Sequence, residues 1–126
     1  MQNHEVTIMA LLSLKKRRES GIRAQLVQLE KQQSEQLQAR ERLMLQRKTL
    51  CEQWKDYSSH ERLLAANKVS AYRNELASYY QQDQSIIEKI NITKNKHTEL
   101  KIKKENQLGL LQRIILEQEK LKLLLE

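Results

Sequence analysis

The residues best suited to chemistry in this chain are few and far apart. Cys51 is the single cysteine, and the histidines stand singly at His4, His60 and His97. A bound metal needs several such ligands at short spacings, and these residues supply none. A lone thiol forms no internal disulfide and suits a reducing compartment, so Cys51 reads as a small apolar residue on a helical seam. Phosphate cradles are built from glycine-rich loops, yet the only glycines are Gly21 and Gly109. Carboxylates are common, but a narrow helical chain offers no concave site to shift their proton affinity. Asn91-Ile92-Thr93 matches the glycosylation acceptor pattern, which stays unused in an unprocessed cytoplasmic chain. The expectation is a protein that is not an enzyme, with no catalytic residue, cofactor or metal.

The surface offers more. Lys15-Lys16-Arg17-Arg18, followed by Arg23, puts positive charge on every side of one helical turn. Lys120 and Lys122 add to it near the other end of the sequence. A second feature is apolar surplus in Leu108 to Leu125. A single seam there uses Leu111, Ile114, Leu121 and Leu125, leaving Leu110, Ile115, Leu116, Leu123 and Leu124 on other faces. Surplus of that kind predicts a socket elsewhere or self-association into a four-helix bundle. The third feature gathers every aromatic residue: Trp54, Tyr57, Tyr72, Tyr79 and Tyr80. Such residues are favoured contact anchors, or they widen a seam where helices splay.

The elements that must carry these features are helices. The 126 residues include no proline or phenylalanine and are rich in Leu, Glu, Gln, Lys and Arg, the profile of a long helix or coiled coil. From Val69 the sites Val69, Tyr72, Leu76, Tyr79, Asp83, Ile86, Ile90, Thr93, His97, Leu100, Lys104, Gln107, Leu111, Ile114, Gln118, Leu121 and Leu125 follow a 3–4 alternation. Most are apolar, which makes a sustained heptad seam. The first half carries a weaker seam: Ile22, Leu26, Leu29, Gln33 and Leu37, then Leu43, Arg47, Leu50, Trp54 and Tyr57. The step from Leu37 to Leu43 reads as a break in the heptad.

Two seams within one chain predict an all-α, long antiparallel two-helix coiled-coil hairpin. Helix one is expected over about 4–56, the turn within 56–70, and helix two to about 125. Ser58 and Glu61 have capping-box spacing, and Asn67-Lys68-Val69-Ser70 is the alternative restart for helix two. Antiparallel pairing sets apolar Val6–Leu14 opposite Leu108–Leu125. It also sets polar Gln32–Gln36 opposite the polar middle of helix two. Such a hairpin is roughly 80 Å long, with a looser middle.

The formal net charge of +7 fits nucleic acid, anionic lipid or an acidic protein surface. No zinc-finger spacing, basic-region zipper or RNA-binding aromatic motif accompanies it, so nucleic acid is the minor expectation. In Val6–Leu14 the charge follows the apolar run, the reverse of a secretory signal, and the run is too short to span a bilayer. The expected setting is cytoplasmic, without direct membrane insertion.

The early basic run Lys15-Lys16-Arg17-Arg18, the Gln/Glu-rich stretch Gln25–Gln38 and the apolar C-terminal helix together carry a resemblance. The chain resembles, over its whole length and in pattern, the central-stalk proteins of type III secretion systems. These are the small coiled-coil partners of the injectisome and flagellar export ATPases (the YscO/FliJ type). The resemblance implies a stalk whose terminal end inserts in a hexameric secretion ATPase and promotes its assembly and activity. It implies that the turn end reaches an export gate protein, and it brings in secretion chaperones as further partners. It places the protein in the cytoplasm, peripheral to a membrane-embedded secretion apparatus used in virulence or motility. Carried onto this chain, it assigns ATPase binding to Lys15, Lys16, Arg17, Arg18, Arg23, Leu110, Ile115, Leu116, Lys120, Lys122, Leu123 and Leu124. Gate binding falls to Trp54, Tyr57, Tyr72 and Tyr79. The alternatives are a generic coiled-coil scaffold, a chaperone-like adaptor, or a basic nucleic-acid-binding coiled coil.

Overall fold

The structure, a computed structural model, describes residues 2–60 and 66–126, with the backbone alone described at 2, 3, 60, 66 and 67. Among the described residues there are two elements, α1 (Gln2–His60) and α2 (Ala66–Leu125). The chain is an all-α helical hairpin. No proline interrupts either helix. Gly21 and Gly109 sit inside them with ordinary helical backbone, costing about 1 kcal/mol each relative to alanine. Glu5 in the first turn of α1 and Lys122 in the last turn of α2 each oppose the local helix dipole.

Helices of this length do not hold together on propensity alone; they need a buried stripe. The chain divides into two compact units. One comprises Met1–Ser34 and Thr98–Glu126, and the other is Glu35–His97. In the first, Leu12, Leu26, Leu111, Ile114 and Gln118 are buried, with Ile8, Ile22, Leu29, Leu100 and Leu121 half-buried around them. Lys15 pairs with Glu117 and Glu30 with Lys104. As α1 advances between these pairs α2 retreats, so the helices run antiparallel. In the second unit Ile86 and Ile90 are buried, Leu43, Leu50 and Leu76 are half-buried, and Arg47 pairs with Asp83.

On α2 the seam occupies the positions the 3–4 alternation predicts as far as Leu121, but Leu125, expected in the seam, is exposed at the helix end. Every site from Val69 to Leu121 in that series is buried or half-buried. On α1 the expected break in the heptad is absent. Leu37 is 43% exposed, while Gln36 and Arg40 are half-buried. Ile8, Leu12, Lys15, Glu19, Ile22, Leu26, Leu29, Gln33, Gln36, Arg40, Leu43, Leu50, Trp54 and Tyr57 are buried or half-buried, and with Arg47, which is exposed but pairs across to Asp83, they follow an unbroken 4–3 alternation. Helix geometry fixes which residues share a face, and an apolar residue one position out of phase points outward whatever its hydrophobicity.

Ser58 does not cap α2, contrary to its capping-box spacing: it lies inside α1, and its hydroxyl donates to the Lys55 carbonyl. α1 continues past residue 56 to His60. Glu61, the expected capping partner, lies outside the described residues.

Polar atoms in the seam carry a cost. Arg40 Nε, Gln107 Oε1 and Gln118 Nε2 are buried without a hydrogen-bond partner, and each such atom costs about 1–3 kcal/mol. Ile86→Ala should lower stability by about 2–4 kcal/mol, and Leu37→Ala by less than about 0.5 kcal/mol. Urea unfolding followed by circular dichroism measures both, and equal losses would restore the heptad break. Gln118→Leu should raise the unfolding midpoint by removing the orphaned amide. A fall would mean that the amide has a stabilising partner.

Candidate interaction surfaces

The basic run does not act as one collar. Lys15 is an inward position of α1 and reaches across to the Glu117 carboxylate, leaving its side chain 20% exposed. Glu117 is held below its ordinary proton affinity, first by the hydrogen bond from Lys15 and then by the charges of Lys15, Arg113 and Arg18. Arg23 forms an i,i+4 pair with Glu19. Lys16, Arg17 and Arg18 remain on exposed positions. Lys120 and Lys122 are exposed as well.

The surplus leucines divide similarly. Leu110, Leu116, Leu123 and Leu124 are exposed, while Ile115 is half-buried beside the seam. On α1 in the same unit Val6, Met9, Leu11 and Leu14 are also exposed. This unit therefore combines unburied apolar side chains with unpaired-sign charge, since the exposed run at 16–18 is wholly basic.

The aromatic residues form one cluster in the second unit. Trp54 lies 5.3 Å from Tyr79 with nearly parallel rings, 5.6 Å from Tyr72 and 5.4 Å from Tyr57. Tyr57 and Tyr72 stack at 6.3 Å. These four are half-buried and fill the seam, so they spend much of their surface on one another. Tyr80, edge-on to Tyr79 at 5.5 Å, is 62% exposed. The Tyr79 hydroxyl is held above its ordinary value, first by burial and then by hydrogen bonding with Cys51.

Sequence reasoning missed Glu117 and Asp83 as cross-helix partners. Asp83 takes two hydrogen bonds from Arg47, at 2.8 and 3.5 Å, and through them raises the guanidinium's proton affinity. The opposite charges were visible, but identifying the pairs requires the register between helices.

Among the described residues no group of three histidine, cysteine or carboxylate side chains could hold a metal ion. No described helix is long and apolar enough to cross a membrane. Compared with known proteins, the chain matches no family model, no curated protein and no solved structure.

The Lys15–Glu117 pair sets an acid dependence. Glu117 is depressed in the folded chain, so its contribution is complete above the ordinary carboxylate value of 4.5. It is lost as pH falls through the lower folded value. Glu117→Gln should therefore reduce the fall in unfolding midpoint between about pH 6 and about pH 3. Identical acid profiles for wild type and variant would show that the pair contributes nothing.

Proposed function

We propose that this protein is a non-enzymatic central stalk of a type III secretion system. The Met1–Ser34/Thr98–Glu126 unit would insert in the pore of a hexameric export ATPase and promote its assembly and activity. The aromatic end of the Glu35–His97 unit, with Trp54, Tyr57, Tyr72 and Tyr79, would contact the export gate. Such a stalk works in the cytoplasm, beside a membrane-embedded apparatus, and does no chemistry of its own.

The observation that carries this reading is what the hairpin leaves unspent in the first unit. After the seam and the Lys15–Glu117 pair are accounted for, Lys16, Arg17 and Arg18 remain exposed on α1. Leu110, Leu116, Leu123 and Leu124 remain exposed on α2. A sixfold ring around an asymmetric hairpin cannot make six equal interfaces. Contacts made by flexible cations and dispersed leucines tolerate that mismatch better than one close-packed patch does. Binding of this kind weakens with salt.

The same leucines favour a second reading, a scaffold or adaptor that self-associates through them. The two readings part on one assay. Hydrolysis by the cognate export ATPase should rise when the protein is added. The triple variant Lys16→Glu, Arg17→Glu, Arg18→Glu should lose most of that stimulation, by roughly tenfold. Lys15→Ala should act mainly on the stability of the hairpin, because its ammonium is already engaged. Equal hydrolysis with and without the protein would sink the stalk reading, and a stable oligomer in light scattering would then support the scaffold.

A further inference from the structure

The second unit carries a groove along each of its two long sides. One side carries a groove in which amides and hydroxyls such as Gln46, Thr49, Gln53 and Ser78 surround Leu45, Leu50 and Ile86, with Arg42 and Lys89 as its charged residues. The other carries a groove of about 600 Å³ with an apolar floor of Met44, Cys51, Ile87 and Ile90. Lys48 and Lys55 line the second groove along α1, and Lys94 lines it on α2. Its two acids are Glu52 and Asp83, and Asp83 is already bound by Arg47.

Heptad geometry explains this floor. Met44 follows the seam residue Leu43, Cys51 follows Leu50, and Ile87 follows Ile86. Each stands one step outside the seam, on the same flank. Residues on that flank border the channel into which a third helix packs when two helices become three. Met44 is 46% exposed, and Ile87 and Cys51 are half-buried. The hairpin leaves part of each uncovered. From Met44 to Lys55 the channel runs about 16 Å, roughly three helical turns.

We propose that this channel is a docking site for an acidic amphipathic helix of another protein. The occupant's apolar stripe would lie on Met44, Cys51 and Ile87, and its flanking carboxylates would meet Lys48 and Lys55. Charge selects this occupant over a second copy of the chain. Each copy carries a net +7, and pairing two such grooves would bring like-charged rims together. The site is formed by residues of the second unit alone, and it stands whether or not the stalk reading does.

Cys51 supplies a local readout, because it is the only cysteine in the sequence and lines the groove. The probe is a synthetic helix of about three heptads with leucine at the inward positions and glutamate on both flanks. Added to the full chain, it should slow alkylation of Cys51 by about tenfold. A counterpart with lysine flanks should not. Lys48→Glu with Lys55→Glu should weaken the glutamate-flanked peptide by about tenfold or more, measured by fluorescence anisotropy with circular dichroism confirming the fold. Met44→Glu should do the same independently. The proposal is overturned by unchanged alkylation at saturating peptide, by equal protection from the lysine-flanked peptide, or by affinity indifferent to both sets of variants. It is also overturned if light scattering shows a dimer of the chain that Met44→Glu dissolves, since a second copy would then be the occupant.

Discussion

Everything in this fold depends on one narrow constraint: each helix can bury only the residues that recur at 3.5-residue spacing. With two helices there is no further layer, so a residue outside that spacing meets solvent. This explains why, among the described residues, no large side chain is completely buried and the buried apolar residues are Leu12, Leu26, Ile86, Ile90, Leu111 and Ile114. Inward polar residues are tolerated for the same reason. A glutamine or arginine in a two-helix seam can send part of its length back to water, and Arg40 and Gln118 are orphaned at single atoms instead of along whole side chains.

That constraint also decides what could be read without coordinates. The α2 seam was legible from Val69 to Leu121, even through Asp83, His97 and Lys104, because enough apolar residues held the phase on either side. The α1 seam was misread at Leu37, where an apolar side chain one step out of phase outweighed the spacing of polar Gln36 and Arg40. Ser58 was misread because a local capping pattern says nothing about a helix that simply continues, as the bond to the Lys55 carbonyl shows. The site residues were legible as types and not as partners. Nothing in the order of the sequence joins Lys15 to Glu117 or Arg47 to Asp83.

The two units spend their surplus differently. In the first, charge and leucines stay on outer positions, and one lysine of the basic run is diverted to hold the helices together. In the second, most of the aromatic surface is turned inward, and an apolar channel with a basic rim opens beside it.

The packing of Trp54 between Tyr57, Tyr72 and Tyr79 has a practical consequence. It is the only tryptophan in the chain, and its indole touches rings contributed by both helices. Its emission therefore senses closure of the Glu35–His97 unit alone, whereas the far-ultraviolet dichroism sums helix throughout the molecule. Superimposable melting curves from the two signals would mark a single cooperative transition, and separated curves would give each unit its own transition temperature without any label being introduced.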